Sequence, residues 1–316
     1  MTLRPSGGVI PVLDLVGLLP QENAGTPLSG LAGTLAGIAK PGAKIIDTTN
    51  GVEYVNEGTS ACPYWSPTSF EQLGLFGVHS DFRDRVGLVI TDTTGENYIA
   101  GSGVRIFGQG LAEVDSGLVI QTSGEGGQVM YMTTTNEDAH TVALGMAAGC
   151  MQPDQHGALI IDVDIAVVSA LTTKAVFVGF LGTAAAALDP AVTGATTVAT
   201  LVQDDMAGVW YDAGLTDADR WFAVHNKSDE AATQNLATDG DTSIDVEAAG
   251  TYQRVRVQID EDGGMTVFIN KAQVYTNTAC LDVDEECSPV VYIESQTTAT
   301  SSLAIRSIAC FAGRAA

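Results

Sequence analysis

Two aspartates set two residues apart are where chemistry is first sought in this sequence. In IIDVDIAVV, Asp162 and Asp164 alternate with Val163 and Ile165, so a strand would project both carboxylates from one face. Two carboxylates about 5 Å apart can divide the acid and nucleophile roles in breaking a glycosidic bond. The third alternate position is Ala166, which leaves that set one acid short. The pair then reads as solvent-facing aspartates on an amphipathic strand, and no catalytic residue is assigned. His79, His140, His156 and His225 stand alone, with no His-x-His or Cys-x-x-Cys spacing, so a zinc centre is not expected. Gly-x-Ser-x-Gly and a Gly-rich phosphate loop with Lys are both missing. Acidic runs at 260–262 and 282–286 offer oxygen ligands of the kind calcium takes, but neither follows the helix–loop–helix calcium pattern. They read as exposed turns. Neither metal nor cofactor is expected, and no enzyme activity. Asn226-Lys227-Ser228 matches a glycosylation acceptor, which carries no weight without a secretory signal.

The elements that must hold these residues are strands, and the clearest lie at 251–270. Tyr252, Val255, Val257 and Ile259 are apolar there, with Gln253, Arg254, Arg256 and Gln258 polar between them. This period of two puts one face on a core and the other in water. Val257→Asp should therefore be ruinous, and Arg256→Ala, on the opposite face, should cost little. Asp262, Gly263 and Gly264 supply the positive φ of a tight hairpin turn into the run 265–269.

Composition narrows the classes. The chain has 316 residues, 45% hydrophobic, with 38 acidic against 14 basic residues and a net charge of −24. The few Lys and Arg are scattered, so neither nucleic acid nor an anionic membrane is an expected partner. Residues 9–19 are apolar but are interrupted by Pro11 and Asp14, unlike a signal peptide, and no run approaches a membrane span. Cys62, Cys150, Cys280, Cys287 and Cys310 are odd in number and irregularly spaced. They read as separate thiols in a protein folded in a reducing cytosol, Cys280 and Cys287 included.

Along the chain, residues 1 to about 45 form a distinct segment. Leu28, Leu31, Leu35 and Ile38 recur there at roughly helical spacing among Gly, Ala, Ser and Thr. Gly30, Gly33, Gly37 and Gly42 make a self-standing helix improbable, so the segment is expected to be an arm that buries those four side chains on a neighbouring subunit; a plain linker is the alternative. Lys44 onward reads as strand, Asn50-Gly51 turn, strand. Tyr64, Trp65, Phe70, Phe76 and Phe82 then crowd an irregular stretch, as residues of a core or an interface do. Strands are predicted at 87–90, 104–107, 117–121, 128–133, 141–144, 158–168, 175–181, 198–201, 209–211, 221–225, 251–260, 265–269, 290–294 and 302–311, with a single helical turn at 184–188. Regularly spaced strands without long helices indicate an antiparallel β-sandwich or barrel. The division expected is an arm and aromatic-rich segment, 1–82, before a β-sandwich domain, 83–316.

The order of Tyr252, Arg254 to Val257, Phe268 to Lys271, Pro289 to Ile293 and Leu303 to Ile308 resembles the C-terminal half of concanavalin-like jelly rolls, although Asn270-Lys271 stands where Asp-Gly is usual. GVEYVNEGTSACPYWSPTSF is similar to segments of phage structural proteins. The resemblance covers residues 45–85 and 250–312 and implies an all-β antiparallel jelly roll with an irregular N-terminal arm. It also implies a non-enzymatic virion protein: a capsid decoration or cement protein, assembled in the host cytoplasm, binding the major capsid protein as a homotrimer. Leu28, Leu31, Leu35, Ile38, Tyr64, Trp65 and Phe70 are the expected subunit or capsid contacts. A glycan- or receptor-binding module of a tail or head fibre is the alternative. A third reading rests on the Asp162–Asp164 strand, which is similar to that of jelly-roll glycoside hydrolases with acids at three alternate positions.

Overall fold

Alternation in the strands decides which residues meet, and it builds two large sheets. The computed structural model describes residues 20–69, 76–80, 89–90, 97–98, 104–108, 117–122, 128–134, 138–168, 171–182, 188, 190–227 and 233–313. One sheet runs, in spatial order, Ala272–Asn277, Met265–Ile269, Gln253–Ile259, Leu159–Val168, Ser302–Ala312, Gln128–Thr133, Gly117–Thr122 and Val89–Ile90. Phe76–Ser80 lies beside the second half of Ser302–Ala312. The other runs Asp241–Asp245, Arg220–Asn226, Met206–Asp212, Lys174–Leu181, Ser288–Ser295, His140–Gly145, Arg105–Phe107 and Asn97–Tyr98. Every pairing within these two sheets is antiparallel. Their inner faces share one core, in which Ile161, Val163, Val257 and Ile259 of the first meet Val178, Val209, Val291 and Ile293 of the second. This is a jelly-roll β-sandwich. Among the described residues helix is confined to two single turns, Pro153–His156 and Leu236–Asp239, and no helix is long and apolar enough to cross a membrane.

The predicted hairpin forms with Val255 opposite Ile269 and Val257 opposite Val267. Of the three turn residues, Gly263 alone takes a positive φ, 78°. Asp260 does the rest, accepting from the amides of Asp262 (3.1 Å) and Gly264 (2.7 Å). Asn270 and Lys271, at φ 50° and 68°, form the next two-residue turn, the left-handed pair that matches the twist of adjoining strands.

Each sheet is covered on its outer face as well. Residues 20–69 form a small sheet of Gln21–Asn23, Lys44–Asp47, Val52–Asn56 and Trp65–Pro67. From this cover Ala43, Ile45, Val52, Tyr54 and Trp65 pack on Ile160, Ala309 and Phe311 of the first sheet. Over the second sheet lie Val192–Ala195, Val198–Leu201 and Thr233–Asn235, burying Phe177, Trp210, Phe222 and Tyr292. Double burial explains why Lys174–Leu181 and Ser288–Ser295 show no exposed position at all. Parallel sheets are the usual home of such strands; here the extra layers produce the same pattern in an antiparallel one.

The first cover corrects the arm. Residues 20–40 lie on their own sandwich, in turns rather than a helix, with Leu35 at φ 59° and packed into the cover's own core. Leu28 is half-buried, while Leu31 is 62% and Ile38 40% exposed. Tyr64 and Trp65 are enclosed within this chain, so they are internal packing residues and not surface contacts. Phe70, Phe82 and the turn at 184–188, apart from Leu188, lie outside the described residues. The division at residue 82 separates Phe76–Ser80 from the sandwich sheet in which that strand is hydrogen-bonded.

Two expected outcomes follow from this packing. Val257→Asp, placing a charge in the core between the sheets, removes at least about 4 kcal/mol of stability in urea unfolding. Glu294 is 6% exposed beside Asp212, the two flanking Ala175 on neighbouring strands. Burial, reinforced by the negative charges of Asp212 and Asp138, pushes its carboxyl up to about 8. A carboxyl raised above its unfolded value stabilises the fold below the unfolded value and loses that contribution as pH rises through the folded one. Wild-type stability therefore falls between about pH 4.5 and 8 from this group. Glu294→Gln should remove that decline, so unfolding curves of variant and wild type should diverge by roughly 4 kcal/mol by pH 9.

Candidate functional site

Asp162 projects from the outer face of Leu159–Val168 as its alternation requires, but that face is not wet. The residue is 4% exposed beneath the cover. Its Oδ2 accepts from Tyr64 Oη (2.8 Å), Arg254 Nη2 (2.9 Å), and Arg256 Nε (2.9 Å) and Nη2 (2.6 Å). Its Oδ1 accepts from Arg254 Nε at 2.8 Å. Burial would raise this carboxyl, but Arg256 and Arg254, with the Tyr64 hydroxyl, outweigh it and hold the group at about 2. Arg256, expected in water, is buried, with its guanidinium 3.6 Å from the Tyr64 ring centroid and donating to Trp65 O at 2.8 Å. Asp164 is in a different environment. It is half-buried, raised by burial against the opposing pull of Arg306, which donates to it at 3.2 Å. The two aspartates thus sit in separate ion pairs, and Asp162 spends its lone pairs on structure. The reading of both as solvent-facing is corrected for Asp162.

A different set of side chains converges where the edge of one sheet approaches the end of a strand in the other. Ala272–Asn277 is the edge strand of one sheet and brings Tyr275 and Asn277; Arg220–Asn226 of the other brings His225. His225 has the parity of the core residues Trp221 and Ala223, but it stands at the strand's end and is only half-buried. The turn Leu236–Asp239 closes one margin, capped by Asn235, whose side chain accepts from the Ala237 amide. Gln234 ties these pieces together: its Oε1 accepts from the His225 amide (3.1 Å) and its Nε2 donates to Ala223 O (3.1 Å) and Asp239 O (3.2 Å).

Tyr275 Oη donates its one proton to Asp239 O at 2.8 Å. The His225 Nε2 that lies 3.3 Å from that oxygen is then free to accept from Asn277 Nδ2 at 3.1 Å. Burial raises the Tyr275 hydroxyl above its ordinary range. Together with Asn226, Lys227, Thr233 and Thr238 these residues line a cleft of about 460 Å³. Amides, hydroxyls, an imidazole, an ammonium and a carboxylate surround one half-buried aromatic ring. Such a surface can exchange hydrogen bonds in both directions while stacking on an apolar face.

Sequence reasoning passed over this cleft. Tyr275 and Asn277 lie at alternate positions of an edge strand that was not predicted, and His225 was set aside as isolated. The period-two spacing of Tyr275 and Asn277 was the available signal.

The cysteines play no part in it. All five are free, and burial pushes the thiols of Cys150 to about 11 and Cys280 to about 12, with Cys287 and Cys310 also raised, far from the thiolate state that reacts. Among the described residues no group of three or more His, Cys, Asp or Glu is arranged to hold a metal ion.

No protein-family model matches the chain, and no curated protein matches its sequence. Solved structures do resemble its arrangement of strands. The carbohydrate recognition domain of Emp47p is 11% identical, with a TM-score of 0.43 over 70% of this chain and 99% of that one. The alginate lyase Aly36B, solved as a mutant with an alginate trisaccharide, is 11% identical with a TM-score of 0.45 over 77% and 99%. A carbohydrate esterase from the Shiga toxin-encoding bacteriophage phi24B is 16% identical with a TM-score of 0.39 over 67% and 90%. The likeness is one of fold.

The Asp162 network sets a prediction opposite to the one alternation alone gives. Arg256→Ala should cost about 3–5 kcal/mol in urea unfolding, because a buried carboxylate loses its closest partner. Arg306→Ala, which breaks the half-exposed pair with Asp164, should cost no more than about 1 kcal/mol.

Proposed function

We propose that this chain is a carbohydrate-binding β-sandwich without catalytic activity, and that its ligand enters the cleft between His225 and Tyr275. The cleft carries the reading. Its volume of about 460 Å³ falls within the range of small-ligand sites, about 300–1,000 Å³. Sugars present many hydroxyls that both donate and accept, together with a C–H face, and the cleft offers amides, hydroxyls and the Asp239 carboxylate beside the Tyr275 ring. The rigid ties from Gln234 and the buried Asn226, which donates to Gln203 O at 2.9 Å, hold this lining before a ligand arrives. The absence of catalysis is supported by Asp162, whose oxygens are taken up by five donors and are not available as a nucleophile.

A second reading is favoured by one observation. Leu31 and Ile38 stand exposed on the outer cover, and they belong to the segment proposed to contact a capsid. The chain would then be a virion structural protein, decorating a phage head through the major capsid protein.

Glycan-array screening followed by calorimetry tests the first reading. Tyr275→Ala should lower affinity for any sugar bound by the wild type at least tenfold, and binding indifferent to Tyr275 places the site elsewhere. Co-sedimentation with undecorated particles tests the second: Leu31→Asp together with Ile38→Asp should abolish binding, and unchanged sedimentation would end it.

A further inference from the structure

The protein carries a net charge of −24 with 14 basic residues, so cations have carboxylates close at hand. Lys44, Arg220, Arg254, Arg256, Lys271 and Arg306 are all in ion pairs. The other described cations are held by hydrogen bonds, by an aromatic ring or by further contacts, with one exception. Among the described residues Lys227 has no hydrogen-bond or ion-pair partner; it is half-buried and lines the His225–Tyr275 cleft. With no counter-ion among the described residues, this ammonium is a positive charge that the cleft can offer to a ligand. Among the described lining residues Asp239 is the one that carries a carboxylate, and it makes no ion pair with Lys227.

We infer that the cleft takes an anionic sugar, with the acidic group set against Lys227 Nζ and the ring lying on Tyr275. The inference rests on the carbohydrate-binding reading above and deepens it. Long-range repulsion by the acidic surface does not forbid such a ligand. At physiological ionic strength charges beyond about 8 Å are largely screened, so the groups within the cleft decide. There the Thr233 hydroxyl can exchange hydrogen bonds with ring hydroxyls, and Thr238 Oγ1, which donates to Asn235 O at 3.4 Å, keeps its lone pairs to accept from them. Asp239 can accept from neighbouring hydroxyls of the same sugar. A carboxylate and a sulfate ester share the chemistry that Lys227 recognises, because a lysine meets an anion as a point charge.

The test is calorimetry of the full chain at 0.15 M salt with three probes: trigalacturonate, its methyl ester, and a sulfated galactan trisaccharide. One hydrogen bond to a charged group corresponds to roughly tenfold in affinity. Wild type should bind trigalacturonate about tenfold tighter than the ester. Lys227→Met should erase that preference, and Lys227→Arg should keep it, with circular dichroism unchanged in both. Equal Lys227-dependent affinity for the sulfated probe shows that charge alone is read, while preference for trigalacturonate shows that the planar carboxylate is. Equal binding of acid and ester by wild type, or a preference that survives in Lys227→Met, overturns the inference; if that binding still depends on Tyr275, the carbohydrate-binding reading stands without it. No binding of any probe overturns the inference, and the glycan array then decides the carbohydrate-binding reading by itself.

Discussion

The cover, the sandwich and the path of residues 20–69 all depend on one buried carboxylate. Asp162 is out of water, and removing an ion of that size from water costs several kcal/mol unless it is compensated. Compensation comes from two parts of the chain at once: Arg254 and Arg256 on the neighbouring strand, and Tyr64 from the cover. The arrangement is reciprocal. Arg256 is itself buried and would be equally costly without Asp162, Trp65 O and the ring of Tyr64. Each partner is tolerable only because the cover is in place, and the cover is held in register because the partners require it. Apolar packing of Trp65, Ile160 and Phe311 drives the two layers together, whereas the ion network fixes where they meet.

Much of the sandwich is legible in the sequence because strand faces follow a simple period. Gln128–Thr133, Val198–Leu201 and Met265–Ile269 have the predicted limits, and the hairpin register at Val257 follows from alternation alone. Short or irregular strands escaped. Gln21–Asn23, Thr233–Asn235 and Asp241–Asp245 are polar, and their pairing partners lie far along the chain or across a turn, so nothing local marks them.

Burial of the outer faces was the larger gap. Period-two alternation says which residues share a face, and it is silent on whether that face meets water. Arg254, Arg256 and Asp162 have the composition of a solvated face, and Arg256 and Asp162 become interior only when residues 20–69 lie across them. The chain did hold a hint. Opposite charges at matching register on adjacent strands, with Asp162 opposite Arg256, are as suited to a covered face as to an open one. The His225 cleft was harder still, because it forms only where the edge strand Ala272–Asn277 of one sheet approaches the end of Arg220–Asn226 in the other. No stretch of sequence contains it.

The strand Ser302–Ala312 has a consequence for how the molecule is made. It pairs with Leu159–Val168 along its length, with Gln128–Thr133 on its first half and with Phe76–Ser80 on its second. All three neighbours leave the ribosome before it does. Until it arrives they have a missing centre, with open strand edges that could pair wrongly with one another or with a second nascent chain. Vectorial synthesis therefore cannot complete this sheet from its start. The nascent chain must be kept apart from its siblings until Ser302–Ala312 has emerged, and the decisive folding event waits for that strand.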